Sequence, residues 1–392
     1  MLLKAALDNQ LKKLIDANLD VTYWDGDIRH YGKTKRSKLH LTIKDPKIVR
    51  RMAKNISLAV GEAYMDGSLV VEGPLEELIA LAYRNESVFS LKLHNLKYRH
   101  RSKNIKRHQK RQIAHHYDLG NDFYTLWLDS SLTYTCAYFK NPQDTLKQAQ
   151  VNKRLHVLKK LQLKKNMTLL DIGCGWGGLL IEAAQQYGVR GFGVTLSKEQ
   201  FDLANKKIKA LKLTKLVEVK LMNYQDLPKL KRQFDRVVSV GFFEAVGQDN
   251  LATYFKVLQK VLKPEGISVL HTITSESEIP PDAWIDKYIF PGGYIPSIRE
   301  TTALLPDFGF CMKDFESLGD HYAKTIYLWR KDFEKHHKEV IDMFDERLYR
   351  MWSFWLAASI AGFKSGKINL SQWVFTNGVA SDWPLTREHL YK

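Results

Sequence analysis

Beyond residue 112 the chain alternates between short apolar runs and stretches whose apolar residues recur at helical spacing. LKKNMTLLDIGCG rises into a buried strand, and GLLIEAAQQYG follows as a helix. VRGFGVTLS and KEQFDLANKKIKALKL repeat the pair. LVEVKLMNY is a third strand, FDRVVSVGFFEAVG contains a fourth, and NLATYFKVLQKVLKPEG reads as a helix stopped by Pro-Glu-Gly. ISVLHTIT is a fifth strand. This alternation predicts an α/β fold, a mostly parallel sheet with helices on both faces. Ligands of such sheets bind beyond the carboxyl ends of the strands.

The first 90 residues carry a different, mixed pattern. MLLKAALDNQLKKL reads as an amphipathic helix, Arg36 to Ile43 alternates in places, and GEAYMDGSLVVEG (61–73) reads as turn–strand–turn. The expected organisation is a smaller N-terminal α/β domain (1–91) suited to lipid or membrane association, a linker (92–111) and a catalytic domain (112–392). No secretory signal is expected from the start. No apolar run reaches the ~20 residues needed to span a bilayer. The nearest, Met351 to Phe363, is short and holds two serines. Its aromatics Trp352, Phe354, Trp355 and Phe363 suit a core, or the wall of an acyl-chain tunnel.

Charge changes the picture. Sixty Lys and Arg against forty-three Asp and Glu leave a formal net charge of +17. Such a chain is drawn to polyanions: nucleic acid, an anionic membrane face or acidic small molecules. Between Lys92 and Arg111 lie nine Lys or Arg, three His and no acid. That run is either a solvated linker or a docking strip for phosphates. The three cysteines, Cys136, Cys174 and Cys311, have neither metal-ligand nor disulfide spacing, which suits a reducing interior. His115 and His116 lack a partner set, so no metal is assigned.

The strongest local motif is Asp171-Ile172-Gly173-Cys174-Gly175-Trp176-Gly177-Gly178, set between a strand and a helix. Glycines there permit a tight turn and close approach of a ligand. The spacing also satisfies a dinucleotide fingerprint. Asp171 before the first glycine suits a ligand carrying an ammonium and a sulfonium better than a pyrophosphate, which points to S-adenosyl-L-methionine. The second strand ends Gly193-Val194-Thr195-Leu196-Ser197 with Gln200 one turn on, so neutral groups replace the acid that many methyltransferases carry there.

HHYDLGNDFY (115–124), LTYTCAYF (132–139), LLDIGCGWGG (169–178), GVTLSKEQ (193–200), VSVGFFEAVG (238–247), LHTI (270–273) and KYIFPGGYIPS (287–297) resemble the motifs of cyclopropane synthases, in that family's order. The resemblance covers roughly residues 112 to 390, and the extra N-terminal domain resembles the bacterial phospholipid-acting members (cyclopropane-fatty-acyl-phospholipid synthases). It implies a Rossmann-like methyltransferase domain. The implied reaction is methylene transfer from S-adenosylmethionine to the cis double bond of unsaturated phospholipid acyl chains, with bound bicarbonate as base. The residues that resemble the bicarbonate cage are Cys136, Glu244, His271, Ile273 (through its backbone) and Tyr322. Those that resemble cofactor contacts are Tyr134, Gly173, Gly175, Thr195, Ser197 and Gln200, with Asp171 and Asn223 beside them. Asn223 stands where relatives often carry Asp, Ala245 replaces a common His, and Thr274 a common Gly. The resemblance further implies a cytoplasmic protein, peripherally bound to the inner face of an anionic membrane, and allows a homodimer.

Each of these residues also has a structural reading when taken singly: Cys136 as small core, His271 as a satisfied strand-end histidine, Glu244 as a solvated cap, Tyr322 as core or surface. A fatty-acid methyltransferase that stops at a methyl or methylene branch starts with the same transfer. An RNA methyltransferase would need a base-stacking platform or RNA module, and neither is present in the sequence. A third alternative is a non-catalytic membrane binder on the same fold.

Overall fold

The computed structural model describes residues 2–34, 37–89 and 119–391. The basic strip 92–111, both ends of the expected linker, and His115 and His116 lie outside the described residues. Two compact units form, and both are discontinuous in sequence. One gathers residues 1–101, 280–291 and 326–367; the other gathers 102–279, 292–325 and 368–392.

The first unit holds a four-stranded sheet: β1 (Asn18–Thr22), β2 (Ile28–Gly32), β3 (Leu39–Ile43) and β4 (Leu69–Glu72), in the order β2-β1-β3-β4. Helix Leu2–Leu11 lays Leu7 and Leu11 on the same core as Leu19, Val21 and Ile43. Residues 61–65, expected in a turn, instead end helix Ile56–Met65, which Asn55 caps by accepting from Leu58 N. Gly61 permits this, because a Cβ there would stand 2.3 Å from the Trp284 ring. The apolar stretch near the C-terminus is helix Glu346–Lys364, packed on helices Ile56–Met65 and Leu75–Arg84. Trp352, Phe354, Trp355 and Phe363 are all buried in it. Among the described residues no helix is long and apolar enough to cross a membrane.

The second unit is built on seven strands: β5 (Thr168–Ile172), β6 (Arg190–Thr195), β7 (Val217–Leu221), β8 (Phe234–Val240), β9 (Leu262–Thr274), β10 (Phe310–Ser317) and β11 (Asn369–Asn377). Their order is β10-β11-β9-β8-β5-β6-β7. The five central and distal strands are parallel, as expected, and β11 joins β9 and β10 antiparallel. Period-2 alternation sorts the core. Leu170 and Ile172 of β5 pack with Tyr254, Phe255 and Leu258 on one face. Leu169 packs with Val157, Leu161 and Leu180 on the other. The helix expected to run to Pro-Glu-Gly stops at Val261, and Leu262 is already extended (φ −90°, ψ 127°). Pro264 explains the early stop: it lacks an N–H and disfavours helix in the residue before it. Leu262 pairs with Phe234, and the register shifts before Arg236 meets Ile267.

Candidate active site

The loop after β5 is shaped by three left-handed glycines, Gly173 (φ 86°), Gly175 (φ 53°) and Gly177 (φ 78°). Gly173 N and Cys174 N both donate to Val194 O, at 3.0 and 3.1 Å, which ties the loop to the end of β6. A Cβ on Gly173 would stand 2.6 Å from Phe242, whereas one on Gly175 would meet nothing within 4 Å. Gly173 therefore answers to packing. Gly175 answers to its backbone conformation beside open space, next to the N-terminus of helix Gly178–Tyr187.

At the end of β6 the neutral polar residues knit together. Thr195 Oγ1 donates to Gln200 Oε1 (2.8 Å) and accepts from Ser197 N (3.2 Å). Ser197 caps helix Lys198–Ala210 by accepting from Gln200 N. Asn223 accepts from Gln225 N after β7. All four side chains are buried. Asp171 lies inside β5, and burial pushes its carboxyl up to about 7, with the buried Lys153 ammonium pulling the other way. Tyr134 belongs to an aromatic cluster: its ring centroid lies 5.5 Å from that of Tyr124 and 5.3 Å from Trp127, and Tyr124 lies 5.7 Å from Trp176 of the glycine loop.

The five residues expected to cage an anion come from four places, tied together by hydrogen bonds and by the β9–β11 pairing. Cys136 Sγ reaches Leu318 O at 4.0 Å, and Tyr322 N donates to the same carbonyl at 3.2 Å. Leu318 N donates to Leu370 O (2.7 Å), and Leu370 sits opposite Ile273 in the β9–β11 pair. Ile273 N donates to Glu244 Oε1 at 2.6 Å. His271 precedes Ile273 by two, on the same side of β9. Glu244 lies in the short 3₁₀ turn Phe243–Val246 after β8. His271, expected at a strand end, lies within β9, whose pairing with β11 continues to Thr274.

Electrostatics follow burial. Burial raises the Glu244 carboxyl above its ordinary value, opposed in part by the Ile273 and Glu244 N–H groups and the Thr272 hydroxyl. Burial holds the His271 imidazole well below its ordinary value, and the Lys153 and Lys160 ammoniums push it further. The Cys136 thiol is raised by burial and stays protonated. Two buried atoms, Glu244 Oε2 and His271 Nε2, have no hydrogen-bond partner among the described residues. Buried polar atoms are almost always paired, so two within the set expected to cage an anion call for an explanation.

The helix Leu146–Lys160 also serves this region, which the sequence reading missed. Gln150 donates to Thr133 O and Thr135 O, and Lys153 Nζ to Thr135 Oγ1 (2.6 Å), fastening the segment that carries Tyr134 and Cys136. The available signal was Gln150, Lys153, His156 and Lys160 interleaved with the apolar stripe Ala149, Val157 and Leu161.

The family model "Mycolic acid cyclopropane synthetase" matches residues 104–373, and a domain of unknown function matches residues 6–93. The cyclopropane-fatty-acyl-phospholipid synthase of Escherichia coli K12 is 38% identical over 360 residues, covering 88% of this chain and 90% of that protein. A "Probable fatty acid methyltransferase" of Pseudomonas putida is 36% identical over 384 residues, covering 95% and 96%. The structure of mycolic acid cyclopropane synthase CmaA1 complexed with SAH and CTAB superposes with a TM-score of 0.65 at 32% identity, covering 68% of this chain and 98% of that one. A glycine loop at the end of β5, a seven-stranded sheet with β11 antiparallel to its neighbours and these matches agree: the chain belongs to the mycolic acid cyclopropane synthetase family, as an S-adenosylmethionine-dependent methyltransferase of the cyclopropane-synthase type.

Proposed function

We propose that the protein adds a methylene across the cis double bond of unsaturated phospholipid acyl chains, forming a cyclopropane ring, with bicarbonate as the proton acceptor. The observation that carries this reading is the pair of unpartnered buried atoms, Glu244 Oε2 and His271 Nε2. Both fit an oxyanion. Burial disfavours the Glu244 carboxylate, Oε1 accepts from Ile273 N, and a proton shared between Oε2 and the bound oxyanion is assigned here. Sharing that proton also avoids the repulsion that two like charges would suffer there. His271, held neutral, offers one N–H. Cys136 and Tyr322, joined through Leu318 O, complete the set with Ile273.

The cosubstrate supplies a methyl on a sulfonium, and bicarbonate, when bound, supplies the base that takes a proton from it. Gly173, Gly175, Thr195, Ser197, Gln200, Asn223, Tyr134 and Asp171 are assigned to hold the cosubstrate, with the open space at Gly175 as support. The cluster of Tyr124, Trp127, Tyr134 and Trp176 offers π faces to a sulfonium and excludes water. The basic strip 92–111 is assigned to docking on anionic phospholipid. A fatty-acid methyltransferase shares the first transfer.

Incubation with S-adenosylmethionine and vesicles of cis-unsaturated phospholipid, followed by proton NMR of the recovered acyl chains, separates the two. Ring methylene signals are expected; methyl or vinylidene signals would replace this reading with branch formation. Glu244→Ala is expected to lower turnover by about 10²–10³-fold, the range of a lost anion-holding donor. Cosubstrate affinity in that variant should stay unchanged, and equal loss of both would refute the role.

A further inference from the structure

His271 is contacted from behind by a buried polar chain that no part of the proposed chemistry uses. Gln372, directly opposite His271 across the β9–β11 pair, is 1% exposed, and its Nε2 lies 2.8 Å from His271 Nδ1. Its other amide atom, Oε1, lies 2.7 Å from Lys160 Nζ. Lys160, also 1% exposed, is paired with Glu316, which in turn meets His156 Nε2 at 2.7 Å.

The order of donors in this chain is forced. An ammonium only donates, so Lys160 turns the Gln372 carbonyl oxygen toward itself. The Gln372 NH₂ then faces His271, and Nδ1 must accept. A neutral imidazole that accepts at Nδ1 carries its proton at Nε2. Nε2 is the buried atom left without a partner among the described residues. We infer that Gln372, oriented by the Lys160–Glu316 pair, is a positioning residue that holds His271 in the Nε2–H tautomer and so makes its second ring nitrogen an anion donor. The use made of that donor rests on the bicarbonate reading; the tautomer does not.

The chain also reaches the other side of the site. Tyr138 is stacked between His156 (ring centroids 4.3 Å apart) and His321 (4.8 Å). His321 Nδ1 accepts from Phe139 N at 3.0 Å, and Thr325 Oγ1 accepts from Ala137 N at 3.0 Å. The segment bearing Cys136 and the strand bearing His271 are therefore set by one connected network.

The test is a long-range ¹H–¹⁵N correlation spectrum of the full chain labelled with ¹⁵N-histidine, the His271 signal being identified by its loss in His271→Gln. In the unaltered protein Nε2 is expected to show the pyrrole-type shift and Nδ1 the pyridine-type shift. The reverse assignment would overturn the inference whatever the base turns out to be, since the measurement needs no turnover. In Gln372→Glu the new carboxylate accepts from both neighbours, so the proton should move to Nδ1. Turnover should then fall by about 10–100-fold, as when the orienting partner of a functional histidine is lost, through kcat and with unchanged KM for S-adenosylmethionine. A Gln372→Glu protein that keeps the parent tautomer, or that changes tautomer and keeps full kcat, would refute the positioning role.

Discussion

Glu316 is the point on which the buried chain behind His271 balances, and replacing it with Gln gives a measurable energy. Burial alone would raise the Glu316 carboxyl, but the His156 hydrogen bond and the Lys160 ammonium outweigh it and hold the group down from 4.5 to about 2. A depression of that size corresponds to about 3 kcal/mol of stability at neutral pH. Lys160 does not mirror it: its ammonium is disfavoured, chiefly by burial, despite the attraction of Glu316. The pair as a whole is thus worth less than the carboxylate side suggests, since the lysine carries its own desolvation cost. Breaking the pair from one side is a different matter. Glu316→Gln leaves a buried ammonium without its counter-charge, and a loss of about 3–5 kcal/mol is expected. Urea unfolding at neutral pH should show that loss, and Lys160→Met combined with Glu316→Gln should lose less than the sum of the single changes. The sign with pH is fixed by the direction of the shift. A lowered folded-state value gives stability that is complete above the ordinary 4.5 and disappears as pH falls toward about 2. The gap between parent and Glu316→Gln should therefore close on acidification. Strict additivity of the two substitutions, or a gap that ignores pH, would refute the account.

Gly193→Ala should destabilise by about 1–3 kcal/mol through overpacking, because its Cβ would fall 2.7 Å from Leu180 Cδ1 and 2.8 Å from Cys174 Sγ; thermal unfolding checks this. Charge reversal at Lys103, Lys106 and Arg107 should weaken binding to anionic vesicles by about 1 kcal/mol per basic residue removed near the surface, with the salt sensitivity reduced in step. Sedimentation with vesicles at two ionic strengths measures it, and unchanged binding would exclude the strip as a docking element.

The central sheet was legible because its strands are apolar on both faces and separated by helical periods. β5 reads TLLDI and β8 FDRVVSV, and both pair where the sequence pattern puts them. β10 and β11 were not legible. β11 is almost wholly buried, yet it carries Ser371, Gln372 and Thr376 among its buried residues. Each is reconciled to burial by a partner: Ser371 by the distant Thr274, Gln372 by the distant Lys160 and His271, and Thr376 by the nearby Gly378 O. Polar residues paid for in this way erase the apolar run that marks a buried strand. The helix Ile56–Met65 was misread for a related reason, since Gly61 signals a turn until Trp284 supplies the need for a small residue. Cys136, Glu244, His271, Ile273 and Tyr322 were legible only through motif resemblance, because nothing in periodicity links a thiol before β5 to a tyrosine after β10. Lys160 and Gln372, 212 positions apart, left no joint signal at all.

The one antiparallel strand of the sheet, β11, gives a physical reason why His271 works by tautomer and not by charge. In the antiparallel β9–β11 pair, residues stand directly opposite one another, so position 372 meets position 271 side chain to side chain. A carboxylate opposite would accept from Nδ1–H and leave Nε2 an acceptor, unable to donate to an anion. An amide opposite does not, and burial together with the two lysine ammoniums keeps the ring neutral. The same ammonium that disfavours protonation of the ring, Lys160, also fixes which way the amide points. One buried charge thus performs two tasks: it suppresses the cationic form of His271 and selects between the two neutral forms. A lysine held in the core at a desolvation cost is accounted for by what it does to the histidine two hydrogen bonds away.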